Sequence, residues 1–162
     1  MHRDPIGPGQ ESVWDYPRPP RVVADARRVR IEFEGKPIAE STRALRLLET
    51  SHPPTWYVPI TDVIAGVWVP NLRSSNCEFK GRARYFDLVV GERRSIDAGW
   101  FYPEPTPAFA QLRDHLCFYA SRVDAAWVDE VRVVPQAGLF YGGWITPDVV
   151  GPFKGAPGTS GW

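Results

Sequence analysis

Apolar and polar residues alternate with a period of two along several short stretches of this chain, as they do in strands that bury one face. The clearest is Val29-Arg30-Ile31-Glu32-Phe33-Glu34, which Gly35-Lys36 turns into Pro37-Ile38-Ala39-Glu40-Ser41, predicting a hairpin. Arg21-Val22-Val23-Ala24 predicts a short strand before it, and Trp56-Tyr57-Val58-Pro59 another that ends at proline. Arg82 to Val90 alternates again. With Gly91-Glu92 as the turn and Arg93 to Tyr102 as its partner, it predicts a second hairpin. His115 to Ala120 and Trp127 to Val134, joined through Arg122-Val123-Asp124, predict a third.

Helical signals are few. In Thr42 to Glu49 the residues Ala44, Leu45, Leu47 and Leu48 fit a helical stripe about as well as a buried strand. With Ser41 as a cap, the stretch reads as a short helix or turn before the loop of Pro53-Pro54. Thr61-Asp62 can cap a single turn through Val63-Ile64-Ala65, after which Gly66 to Pro70 is extended and Asn71 to Asn76 is a polar loop. Thr106 to Arg113 reads as one or two helical turns, with Phe109 and Leu112 at i, i+3. Residues 1–20, rich in proline, read as an arm pinned by Trp14 and Tyr16, with His2 in it. From Pro135 onward glycine and proline punctuate Leu139, Phe140, Tyr141, Trp144, Phe153 and Trp162. That predicts an extended tail lying over a domain of residues 21–134, covering a sheet edge or touching a second protomer.

Composition sharpens this picture. The length, 162 residues, suits one domain, and 17 Pro, 14 Gly and 21 aromatic residues favour strands over long helices, so the expected fold is mainly β. Lys and Arg equal Asp and Glu at 19 each, which gives no global field for nucleic acid or an anionic membrane. No run of about 18 apolar residues or signal-peptide core is present, so the expectation is a soluble, cytoplasmic protein with no membrane partner. The two cysteines, Cys77 and Cys117, make no disulfide framework and no CxxC zinc pair. With His52 and His115 far apart, a metal site would need carboxylates, and no metal or cofactor is assigned.

One stretch carries candidate chemistry: Cys77-Glu78-Phe79-Lys80-Gly81-x-Ala83-x-Tyr85, with Trp100-x-Tyr102-Pro103-x-Pro105 behind it. Ahead of it stands Glu49-Thr50-Ser51-His52-Pro53-Pro54-x-x-Tyr57-x-Pro59-x-x-Asp62-Val63. On these motifs, from about Pro20 to Val134, the chain resembles the domain of unknown function 427 family, and Tyr141-Gly142-Gly143-Trp144 through Gly158 looks like the tail of its longer members. The resemblance implies a small antiparallel β-tent, similar to the methionine-R-sulfoxide reductases and a group of zinc-binding proteins. It implies little about activity. The family is sometimes labelled nucleotidyltransferase-like, but a phosphate cradle needs a glycine-rich loop opening a helix, or paired carboxylates for magnesium, and neither is visible.

Cys77 is the candidate nucleophile or redox centre, because a thiolate is favoured by nearby cations and Lys80, Arg82 and Arg84 follow it; the alternative is a small packed hydrophobe. Lys80 beside Gly81 suits an anion or carbonyl, unless the glycine only serves a bulge or turn. Glu49, Asp62 and Glu104 are candidate bases or anchors, with Arg43 a partner for one of them; isolated loop carboxylates also cap turns. Tyr57, Tyr85, Trp100 and Tyr102 are candidate walls of an aromatic pocket, together with Trp56. His52 stays a candidate, whereas His115 and Cys117 read as structural. These residues predict a small-molecule site worked by Cys77 and Lys80. The competing expectation is a non-catalytic assembly module whose tail joins a homodimer, and nucleotidyl transfer is the third.

Overall fold

A computed structural model describes residues 3–162, so His2 lies outside the described residues. The first strands are β1 (Glu11–Ser12), β2 (Arg21–Asp25), β3 (Val29–Phe33), β4 (Lys36–Ser41), β5 (Ala44–Leu48) and β6 (Thr55–Pro59). They are followed by β7 (Trp68–Cys77), β8 (Gly81–Val90), β9 (Arg93–Phe101), β10 (His115–Phe118), β11 (Ala125–Val128) and β12 (Val131–Arg132). The tail adds β13 (Val134–Pro135), β14 (Trp144–Ile145) and β15 (Val149–Val150). The fold is mainly β. Two antiparallel sheets dominate, one of seven strands in the order β2-β5-β6-β10-β9-β8-β7 and one of four in the order β12-β11-β3-β4. The helical pieces are short 3-10 turns, the longest being Pro107–Leu112.

The sheets pack face to face, and strand alternation decides which side chain goes where. Val29, Ile31 and Phe33 of the small sheet meet Trp56, Val58, Phe86, Leu116 and Phe118 of the large one in the principal core. On the large sheet the residues one position away point to the opposite face. Registers Leu45↔Tyr57, Tyr57↔Cys117, Cys117↔Trp100 and Trp100↔Tyr85 place those side chains in one row across five strands. That second face carries its own apolar cluster, closed at one end by Phe109 and Leu112 of the 3-10 turn.

The hairpins β3–β4 and β8–β9 form as their alternation predicts. Four local expectations are corrected. Thr42 to Glu49 holds the strand β5 rather than a helix: it pairs with β2 and β6 and is covered on both faces, which erases the period-two signal. Asn71 to Asn76 is not a loop but most of the edge strand β7, whose outer side meets solvent and tolerates polar residues. β10 and β11 make no hairpin. β10 lies between β6 and β9, and a 3-10 turn at Ala120–Arg122 carries the chain across to β3 of the other sheet. The single turn near Thr61 spans Ile60–Asp62, three residues before its expected place at Val63 to Ala65, and follows directly on Pro59.

The tail contributes to the interior. Trp144 is fully buried, stacks on Trp56 at 6.0 Å between ring centroids and donates its indole N–H to the Phe118 carbonyl at 2.9 Å. Its backbone N–H bonds to the carbonyl of Pro54. At the other end Val13 and Tyr16 of the N-terminal segment are buried against Val149, and β1 runs parallel to β15.

Candidate functional site

The second face of the large sheet is not filled to the end. Between it and the tail lies a cavity of about 300 Å³. Its floor is the row set by register: Tyr57 from β6, Trp100 from β9, and Tyr85 and Ala83 from β8, with Tyr102 just beyond β9. Trp100 donates its indole N–H to the Tyr57 hydroxyl at 3.1 Å, a buried bond that fixes both rings, and the Tyr85 hydroxyl meets Ser75 Oγ at 3.0 Å. Burial pushes the Tyr57 phenol well above its ordinary range, so it stays protonated.

Cys77 ends β7 opposite Gly81, half-buried, and lines the cavity. Lys80 stands in the turn between β7 and β8, only 8% exposed, with Nζ 5.7 Å from the centre of the Tyr102 ring. Among the described residues its ammonium makes no ion pair and no hydrogen bond; the stem is buried while Nζ stays open to the cavity. The turn is tied down from outside. Thr106 donates its backbone N–H to the Lys80 carbonyl at 3.0 Å and its hydroxyl to the Phe79 carbonyl at 2.6 Å. Gly81 has φ 105° and faces the Glu104 carbonyl, so its role is in the turn rather than in ligand approach. Arg82 and Arg84 fall on the opposite face by alternation, bonding Ser74 and the Asn71 carbonyl. Of the three cations that follow Cys77, only Lys80 lines the cavity.

Glu49 and His52, in the loop after β5, close one side. Glu49 is the cavity's one carboxylate, 3.8 Å from Arg18. His52 Nδ1 receives a 3.3 Å hydrogen bond from the side-chain amide of Gln136, and its ring lies 5.2 Å from that of Tyr141. Burial, reinforced by Lys154, Arg18 and Lys80, pushes the His52 imidazole down to about 4, so it is neutral at pH 7. Gln136 is itself buried and locked: its amide N–H groups reach His52 and the Lys154 carbonyl, and its oxygen accepts the Gly143 N–H at 3.0 Å. Lys154 donates to the main-chain oxygen of Trp162 at 3.1 Å and sits 5.7 Å from the Tyr141 ring centre.

Of the residues the sequence singles out, Cys77, Lys80, Glu49, Tyr57, Tyr85, Trp100 and Tyr102 come together at this cavity, with His52. Arg43, Asp62 and Glu104 do not. Arg43 pairs with Asp62 at 2.8 Å, Ser41 Oγ donates to the same carboxylate, and the bond from Arg43 holds the Asp62 carboxyl below its usual range in a shallow surface hollow. Glu104 is exposed in the loop after β9. Trp56 points the other way, into the principal core, and Cys117, though on the cavity's side of the sheet, is fully buried with its thiol pushed up by desolvation. The sequence does not single out Tyr119, Gln136 or Lys154 as cavity residues. The aromatic Tyr141-Gly142-Gly143-Trp144 string was the signal that the tail belonged here.

Among the described residues no group of three His, Cys, Asp or Glu is placed to hold a metal ion, and no helix is long and apolar enough to cross a membrane. No curated protein matches the chain. A family model described as a domain of unknown function (DUF427) matches residues 21–129, which takes in every strand from β2 to β11 and the cavity floor. With well over half its length inside that match, the chain belongs to the DUF427 family.

Proposed function

We propose that the cavity is a small-molecule site and that Cys77 is its reactive group, acting as the nucleophile or redox centre with Lys80 beside it. The observation that carries this reading is the contrast between the two thiols. Cys77 lines the cavity half-buried, whereas Cys117 is sealed within the apolar cluster of the same sheet face. A thiol needs access to act, and of the two only Cys77 has it. The fixed Tyr57–Trp100 pair supports it further, since a rigid aromatic wall is what a small ligand is held against. Iodoacetamide near neutral pH, read by peptide mass spectrometry, should modify Cys77 well before Cys117. Equal sluggishness at both thiols would remove the reading.

A second reading, an assembly module joined through the tail, draws on Leu139 and Phe140, adjacent apolar residues 87% and 57% exposed. Under it, Leu139→Ser with Phe140→Ser lowers the mass seen by light scattering, and an unchanged mass counts against it. Nucleotidyl transfer gains nothing from the cavity, whose lone carboxylate is not a pair for magnesium.

A further inference from the structure

Resting on the reading of the cavity as a small-molecule site, we infer that its ligand is a small planar anion, an aromatic carboxylate, with the charge taken by Lys80 and Lys154 and the ring held among the tyrosines and Trp100. The charge comes first. Two ammonium groups and one carboxylate, Glu49, line the space, and Glu49 already lies near Arg18 outside it. The Lys80 stem is buried, its Nζ opens on the cavity, and among the described residues it has no anionic partner. An ammonium that opens on a cavity with no carboxylate bonded to it is free to pair with an incoming anion, and the aromatic walls strengthen that attraction over its value in open water.

His52 fits the same ligand. Because Gln136 donates to Nδ1, the ring carries its proton on Nε2 and offers an N–H donor rather than a base. The orientation of Gln136 is fixed by its other bonds: turning the amide over would set its oxygen against the Lys154 carbonyl and its NH2 against the Gly143 N–H. A donor beside two cations is arranged for an acceptor-rich group, as a carboxylate is.

Size and shape decide the rest. A volume of about 300 Å³ stands at the low end for small-molecule sites, enough for a single ring with a charged head. Tyr85, Trp100, Tyr102, Tyr119 and Tyr141 supply flat apolar surface that inorganic phosphate would leave uncovered.

Two paired reagents test this. Iodoacetate and iodoacetamide alkylate a thiolate by the same step, in which sulfur attacks the methylene carbon, an S–C bond forms and iodide leaves; they differ in charge. The iodoacetate-to-iodoacetamide rate ratio at Cys77, divided by that of glutathione, should be raised about tenfold and fall back towards one in Lys80→Met. Lys154→Met should lower it in part, which guards against a fold defect in the first variant. Benzoate should protect Cys77 from iodoacetamide, and its neutral isostere benzamide should not. Calorimetry should give binding heat with benzoate and none with benzamide or inorganic phosphate. A ratio equal to that of glutathione, or benzamide protecting as well as benzoate, overturns the anion inference while leaving the small-molecule site standing. Phosphate binding as tightly as benzoate overturns the planar ring. If both reagents leave Cys77 untouched, the thiol reading falls, and calorimetry alone decides: benzoate heat lost in Lys80→Met upholds the anion, and no benzoate heat overturns it.

Discussion

His52 makes a prediction at the scale of one residue. Its imidazole titrates near 4 in the folded chain against an ordinary 6.5, because burial and the neighbouring Lys154, Arg18 and Lys80 oppose a further positive charge. Glu49, Gln136 and Tyr141 also face it, but the cations and burial prevail. Below pH 6.5 the unfolded chain takes up a proton that the folded chain refuses, so the stability present above that pH is lost as pH falls towards 4. The loss is up to about 3 kcal/mol. Urea titrations of the wild type and His52→Gln at pH 7, 5.5 and 4.5 should show a stability difference that narrows with acid, and a pH-independent difference would contradict the neutral histidine. At this scale the sequence was informative where chemistry is carried by one motif: Cys77, Lys80 and His52 are visible as types. It was silent on Lys154 and Gln136, which matter only through neighbours distant in the chain.

At the scale of elements, the seven-stranded sheet separates site from core by alternation alone. Trp56 and Val58 enter the core while Tyr57 between them faces the cavity, and Phe86 and Tyr85 divide in the same way. Gly99 in β9 lies opposite Phe86 of β8 and beside Phe118 of β10. A Cβ there would lie 2.0 Å from the Cys117 carbonyl and 2.6 Å from the Phe86 ring, and the backbone carbonyl cannot move without breaking the β9–β10 pairing. Gly99→Ala should therefore destabilise by about 3 kcal/mol or more, measured by denaturant unfolding. A cost below about 1 kcal/mol would mean that the sheet is softer than its packing implies. The hairpins β3–β4 and β8–β9 are legible in the sequence because each has a turn dipeptide and, on at least one strand, a clean alternation. β5 is not, since Leu45 and Leu47 face one side while Ala44 and Arg46 are covered on the other. The missing β10–β11 hairpin shows the same limit: alternation says that a segment is a strand and nothing about its partner.

Across the whole molecule, the tail ties the sheets together. Trp144→Ala would leave a hole beside Trp56 and orphan the Phe118 carbonyl, at a cost of about 3–5 kcal/mol. If the tail also shapes the cavity, the same substitution should slow or scramble the selective alkylation of Cys77 under conditions where the protein is still folded by circular dichroism. Unaltered selectivity would show that the wall stands without its anchor. The family match ends at residue 129, before Gln136, Tyr141 and Lys154, so the floor of the cavity belongs to the matched region and one wall does not.

The wall from the tail also has a consequence in time. A ribosome releases the chain from its first residue onward, and the hairpin that bears Cys77 and Lys80 emerges long before the segment from Gln136 to Lys154. Under the reading of Cys77 as the reactive group, its sulfur has no such wall over it until those last residues arrive and Trp144 seats itself.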